Sequence, residues 1–405
     1  MQVKLAAHLE TILLYLIVLF PLSAVAGPLF LDLFVSLSSI LFIFIARFDL
    51  FKSKYFKIFA LIYFLLIISS LFGKNILSSL KTSFPYFRFF IFVLAIIYIS
   101  KKKNFFKLLH LLIFNLYLIL VIDSYFQVFF GKTIFGVDQT NVRISGIFHD
   151  ELVLGSFILK TIPIYISLVF YNMHLFNKAF NIFQFILIIF SLILIYFTGE
   201  KTTLLLSSFI FISAVVCLKK KFFFSIIIFF FFLFILNFTK NTNFENISKR
   251  YSFFKIEDKN ISLNSDLIQD QLLHFKTAIL IFNDNKLTGI GPRNFRIICK
   301  EYDEGIGCST HPHNFYLELL CETGIVLFII VLLIYLKFLK NYIISIYKVI
   351  SNENSKNLDK SKLFILTTIV INLFPFIQTG SIFNNWYAGL IFFSLAIYLR
   401  FSNEV

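Results

Sequence analysis

The sequence predicts an all-α, polytopic membrane protein of about twelve transmembrane helices with one large polar loop containing an amphipathic helix. Three observations carry that expectation. The 405 residues are 59% hydrophobic and only 15% charged, whereas soluble domains run near 45–50% apolar and about 25% charged. Apolar runs recur along the chain at lengths that suit a bilayer, each about 20 residues. The runs are separated by short connections that alternate between lysine-rich and lysine-poor.

The apolar runs place spans near 5–26, 28–46, 58–73, 84–100, 108–130, 151–171, 179–197, 202–218, 222–238, 315–336, 363–379 and 384–400. The run 5–26 leads directly into another apolar stretch and reads as a retained first helix rather than a cleaved signal. Orientation follows from the basic residues. Arg47, Lys52, Lys54 and Lys57, then Lys101 to Lys103 and Lys107, Lys178, Lys219 to Lys221, and Lys337 through Lys362 mark one side. The opposite loops hold only Lys74, Lys81, Lys132, Arg143 and Lys201. The richer set is cytoplasmic by the positive-inside rule, which puts both termini in the cytoplasm and residues 131–150 and 239–312 outside. The chain thus divides into an N-terminal bundle (1–238), an external loop (239–314) and a C-terminal bundle (315–405). No internal repeat, low-complexity linker or separate soluble domain is apparent.

The composition excludes several classes of function. A net charge of +15 implies no nucleic-acid partner, because the basic residues sit in loop clusters between apolar runs. The 59 phenylalanines reflect compositional bias and carry no functional weight. No P-loop and no GxGxxG turn is present, so no nucleotide cofactor is implied and a substrate must bring its own activation.

Chemistry is expected in the external loop. Residues 266–282 (DLIQDQLLHFKTAILIF) have apolar residues at helical spacing and read as an amphipathic helix on the membrane surface, carrying His274. The densest polar cluster is 288–324, TGIGPRNFRIICKEYDEGIGCSTHPHNFYLELLCETG. Pro312 and Asn314 are start signals for the helix that follows, which sets His313 at its N-terminal end. The helix dipole there disfavours an imidazolium and attracts an anion, so a neutral base and a phosphate site can share one patch. His311 and His313 also read as interfacial turn residues. With Cys299 and Cys308 they lack the CxxC spacing of a zinc site, and no metal is expected. Cys299 and Cys308 can close a small ring if the loop faces an oxidising compartment, whereas Cys217 and Cys321 lie in apolar runs as small hydrophobes.

Arg143, Lys201, Arg293 and Arg296 share the outer face with His313, and phosphate recognition or simple solvation accounts for each. Arg88, Asp123 and Lys160 lie deeper, where an ionisable group serves either an internal pair or a substrate path.

The segment HNFYLELLCETGI (313–325), preceded by TGIGPRNF (288–295), resembles the external loop and following helix of the O-antigen ligase and polymerase superfamily. In that family a histidine followed by Asn, Ser or Gln, then nine residues and a glycine, marks the active site, and His313, Asn314 and Gly324 fit that spacing. RISGIF (143–148) resembles the family's arginine and glycine turn before a span. TGEKTTLLL (198–206) resembles its TGSRTALLL-like turn, with Lys201 standing where arginine is usual. The resemblance implies metal-independent glycosyl transfer, without a cofactor, at the periplasmic face of the bacterial inner membrane. The donor would be a glycan on undecaprenyl pyrophosphate and the acceptor lipid A-core. Surface polysaccharide polymerisation and protein O-glycosylation are alternatives within the superfamily, and a lipid-linked sugar transporter is an alternative outside it. His313 would be the base, with Arg143, Lys201, Arg293 and Arg296 on the pyrophosphate. His274, His311, Asn314 and Glu322 would support them.

Overall fold

A computed structural model describes residues 2–45, 54–139, 143–149, 151–218, 254–257, 260–263, 265–303, 305–352 and 356–402. The helices, in chain order, are α1 (Gln2–Val18), α2 (Phe20–Ala26), α3 (Pro28–Ile45), α4 (Lys54–Leu71), α5 (Ile76–Ser83), α6 (Phe87–Ile99), α7 (Phe105–Phe130), α8 (Leu154–Asn172), α9 (Lys178–Phe197) and α10 (Lys201–Leu218). A two-stranded antiparallel hairpin follows, β1 (Phe254–Glu257) and β2 (Asn260–Leu263). Then come α11 (Ser265–Asp284), α12 (Phe295–Ile298), α13 (Phe315–Ser351), α14 (Asn357–Asn372) and α15 (Asn385–Phe401).

This is a polytopic membrane fold. Six of the described helical segments are each long and apolar enough to span a bilayer, and a bent pair makes up to seven. That pair is α1 and α2, which meet at 50° where Pro21 follows the break. The single expected span at 5–26 is therefore broken. A proline in the first turn of α2 explains where, since it cannot continue the hydrogen bonding of the helix before it. The fourth expected span, 84–100, starts earlier than expected: α5, a short 3₁₀ turn containing Pro85 and α6 together make one spanning segment, Ile76–Ile99. Shorter apolar helices stand at Tyr55–Leu71 and Lys201–Cys217. The expected span at 222–238 lies outside the described residues. The tenth span, expected at 315–336, continues as helix to Ser351, and residues 337–351 contain neither glycine nor proline to stop it.

The core sits on α8. Nearly every residue of this helix is buried, including Lys160, Ser167 and Asn172, which leaves it no lipid-facing stripe. It packs chiefly against α14. Ser167 Oγ donates to Ser361 O at 2.9 Å and Ser361 Oγ returns a bond to Ser167 O at 3.0 Å. Small hydroxylic residues at a membrane helix crossing allow close backbone approach of this kind. Elsewhere α6 packs on α15 and α3, and α11 lies against α13, which brings the polar loop down onto the bundle.

Two of the deep ionisable groups have internal partners. Arg88 pairs with Asp32 at 2.6 Å and also bonds Pro85 O and Asn385 Oδ1. Asp123 Oδ1 accepts from Ile134 N at 2.9 Å and ties down the loop after α7.

Candidate functional site

His313 sits immediately before α13, in the left-handed backbone region at φ 54°. Asn314 is the N-cap: its Oδ1 accepts from Tyr316 N and Leu317 N at 3.0 and 3.1 Å, satisfying otherwise free amides of the first turn. The Asn314 Nδ2 reaches across to Pro375 O and Ile377 O. The connection between α14 and α15 thereby becomes a strap over the cap. Thr379 closes it, its N donating to His313 O at 2.8 Å and its Oγ1 accepting from Phe315 N at 2.8 Å.

Two buried glutamates one turn apart on α13 hold the two loops that flank His313. Glu318 accepts from Ser381 Oγ at 2.5 Å and Ile382 N at 2.9 Å, fixing the strap. Glu322 accepts from Arg293 N at 2.6 Å and Phe295 N at 2.8 Å, fixing the GPRNF turn. Both side chains are 1% exposed. Glu318 was not among the expected site residues. Its signal was available, since a carboxylate in an apolar span demands a partner.

The TGIG turn itself is docked on a break in α13. Gly324 has φ 78° and ψ 179°, and there Ile325 N turns away to Lys286 O at 2.9 Å. Ile290 N and Gly291 N take Cys321 O and Glu322 O instead, at 3.0 and 2.8 Å. Ser69 Oγ of α4 bridges Thr288 O and Glu322 O. Asn294 Nδ2 bonds Ser79 Oγ of α5 at 3.1 Å.

Around His313 the structure gathers His274 from α11 and His311, with ring centroids 4.9 and 4.3 Å from it. Burial lowers the His313 pKa, and the neighbouring His274 lowers it further. The sequence reading attributed a neutral His313 to the helix dipole, whereas burial and a second imidazole account for it here. His311 is pushed down to about 4 by burial first, then by His313, with Arg296 and His274 adding to it. Arg293 is half-buried, and its Nη2 donates to Phe383 O at 2.8 Å. Burial and the adjacent Arg296 lower its pKa against the pull of Glu318 and Glu322. The His274 Nδ1, His311 Nε2 and Arg293 Nε are buried without a hydrogen-bond partner among the described residues. Such atoms are costly to leave unmet. The patch can therefore accept a proton at His313 and neutralise an anion at Arg293 and the exposed Arg296. No group of three or more His, Cys, Asp or Glu able to hold a metal is found among the described residues. Cys299 and Cys308 are joined as a disulfide, with Cα atoms 5.0 Å apart.

Arg143 and Lys201 belong to a neighbouring cluster. Arg143 donates from Nε to Thr198 O at 2.9 Å and from Nη2 to Leu152 O at 3.2 Å, and pairs with Glu200 at 3.3 Å. Glu200 also accepts from Ser156 Oγ at 2.9 Å. Burial raises its pKa, opposed by Ser156, Arg143 and Lys160. Lys160 lies over the Tyr387 ring at 4.6 Å, and Tyr387 OH donates to Asn372 O at 3.0 Å, which connects this cluster to the strap's neighbourhood. Lys201 begins α10. Breaking a largely buried ion pair from one side costs about 3–5 kcal/mol. Arg143→Ala is therefore expected to lower the melting temperature in detergent clearly, and Arg143→Ala with Glu200→Ala to recover part of the loss. An unchanged melting temperature in the single variant would show that the pair is not formed.

The fold and this site define a membrane-embedded protein whose polar centre lies at one end of a helical bundle. Residues 186–332 match the family model described as O-antigen ligase, which supports a relation to that family over this part of the chain. The matched region includes Lys201, His274, Arg293, Arg296, His311, His313 and Gly324. It supports a bacterial integral membrane protein with a ligase- or polymerase-type function acting on a lipid-linked glycan and an acceptor. No curated protein matches the chain.

Proposed function

We propose that the protein transfers a glycan from undecaprenyl pyrophosphate to lipid A-core at the periplasmic face of the inner membrane, without a metal. In this reading residues 239–314 form the catalytic loop between two membrane bundles, 1–238 and 315–405. The observation that carries it is the arrangement at the α13 cap: a histidine favoured in its neutral form, packed against His274 and His311, with Arg296 acting on His311 and Arg293 tied to the strap at Phe383 O. Nδ1 or Nε2 of His313 takes the proton of the acceptor hydroxyl as that oxygen bonds to the anomeric carbon. The bond from that carbon to the pyrophosphate oxygen breaks, and the electron pair leaves with the lipid pyrophosphate. Arg293 and Arg296 neutralise the charge that develops there. Lys201 adds a point charge at the N-terminal end of α10, where a helix favours an anion, and Arg143 builds the turn that presents it. His274 and His311 hold the His313 ring, and Asn314 and Glu322 position the backbone. The disulfide suits an oxidising, extracytoplasmic loop.

A transporter reading needs Arg88, Asp123 and Lys160 along a path, yet Arg88 and Asp123 are engaged in internal bonds and Lys160 lies over the Tyr387 ring. The test is the surface polysaccharide of a deletion strain complemented with the wild-type gene. Long glycan left on undecaprenyl pyrophosphate, with bare lipid A-core, is the expected result. Core carrying a single repeat unit would make the protein a polymerase. A normal profile would overturn both in favour of protein glycosylation or transport.

A further inference from the structure

The disulfide between Cys299 and Cys308 closes a ring whose two ends are held differently. Cys299, just past α12, is fully buried in a small apolar cluster with Ala278 and Ile281 of α11, Phe295 and Cys321 of α13. The chain leading into it is fixed by Glu322, which accepts from Arg293 N and Phe295 N. The ring itself lies on α11. Tyr302 OH donates to Asp284 Oδ2 at 2.7 Å, and a Cβ added at Gly307 would stand 2.6 Å from Thr277 Oγ1.

Cys308, by contrast, is only half-buried and opens the segment 309–312 that delivers His311 and His313 to the cap. Within that segment Ser309 Oγ donates to His311 O at 2.6 Å, and Thr310 Oγ1 pairs with His311 Nδ1 at 3.0 Å. These bonds shape the turn without fixing it to the bundle. The strap fixes it at one end, where Thr379 N donates to His313 O at 2.8 Å, and the disulfide fixes it at the other. Cys308 precedes His313 by five positions. Released at Cys308, a tether of that length reaches up to roughly 17 Å from its fixed end. His311, in the middle of it, would no longer be confined to 4.3 Å from the His313 ring.

We infer that the Cys299–Cys308 disulfide is a positioning element for the base: it carries His311 onto His313, keeps both beside His274, and completes the site only once the two thiols are oxidised. The inference rests on the assignment of His313 as the base above. Formation of the bond passes two electrons and two protons from the thiols to an oxidising disulfide by exchange. The ionisable groups acting on the two rings are His274 on α11 and Arg296 on α12, with Arg293 beside Arg296 and Glu318 and Glu322 acting on Arg293. Burial is the first cause of the lowered His313 pKa. Freeing the segment therefore raises that pKa toward the ordinary value of about 6.5 and takes the neutral base away from the acid side.

The experiment compares the oxidised full-length protein in detergent with the same protein reduced by dithiothreitol and freed of excess reagent. A reagent thiolate attacks Cys308 Sγ and expels the Cys299 thiolate, and the second reagent thiol closes on the first and releases Cys308. Two electrons and two protons thus reach the cysteines, and the reagent leaves as its cyclic disulfide. Histidine reactivity toward diethyl pyrocarbonate is mapped by peptide mass spectrometry, and glycan transfer is followed across pH. Reduction is expected to raise the reactivity of His311 and His313 about tenfold, with the fully buried His110 unchanged. Transfer should fall about tenfold on the acid limb for each unit that the limb moves to higher pH. Oxidised glutathione, by taking the two electrons back, should restore both. The double variant Cys299→Ala, Cys308→Ala should match the reduced protein and ignore dithiothreitol. Unchanged reactivity of His311 and His313 on reduction would overturn the inference, and so would an equal rise at His110, which would mean general unfolding. Raised reactivity with an unchanged transfer rate and acid limb would also overturn it and leave His313 standing as the base. Absence of transfer by the oxidised protein would overturn the function proposed above and this inference with it.

Discussion

Replacing His313 by asparagine is expected to reduce glycan transfer about 10²- to 10⁴-fold, the range a positioned general base contributes, while the protein remains folded and retains its lipid-linked donor. Asparagine is the informative replacement because His313 has φ 54°, a conformation that asparagine tolerates better than alanine. The backbone bond from Thr379 N to the carbonyl at position 313 does not depend on the side chain and survives the change. Loss of activity with an unchanged melting temperature therefore isolates proton transfer from packing. Retention of activity within a few-fold would remove His313 from the chemistry.

The same assignment fixes the direction of a pH dependence. A base works when deprotonated, and burial with the adjacent His274 lowers the His313 pKa. Transfer should accordingly persist below the ordinary imidazole value of about 6.5 and fall on the acid side once His313 protonates. Replacing His274 with asparagine removes one of the two causes, and the acid limb should then move to higher pH. An acid limb that stays in place in that variant would show that the imidazole pair is not coupled.

Six or seven spanning segments among the described residues, against twelve expected, were legible because each must be apolar over a fixed length whatever its neighbours do. Asn314 was legible as a cap and residues 266–282 as a helix for similarly local reasons, since capping and periodicity are short-range codes. What the sequence did not disclose depends on contacts across the fold. The strap through Thr379 and Ser381 approaches His313 from more than sixty residues away, and neither residue type nor spacing marks it. Arg143 was legible as a cation near a turn, but its engagement by Glu200 and the Thr198 carbonyl depends on how α8 and α10 meet. The break in α1–α2 was hidden because an apolar run reads as continuous whether or not proline redirects it.

Gly324→Ala is expected to be strongly damaging. At φ 78° and ψ 179° Gly324 occupies backbone space that is essentially restricted to glycine, and an added Cβ would drive into the Leu287 carbonyl and the Thr288 amide. Gly289, at φ 68°, faces the reverse problem against the backbone of Glu322 and Thr323. The two glycines are thus the two sides of one backbone-to-backbone contact. Strain and overpacking together should cost about 2–5 kcal/mol, and the loss reaches the site through a defined route. Moving the TGIG turn off α13 withdraws Glu322 from Arg293 N and Phe295 N and takes the guanidinium from Phe383 O on the strap. Gly324→Ala should therefore lower both the melting temperature and the affinity for undecaprenyl phosphate, whereas His313→Asn lowers neither. A Gly324→Ala protein with wild-type melting and binding would mean that the contact is not present, and the glycine in the His-Asn spacing would need another physical reason.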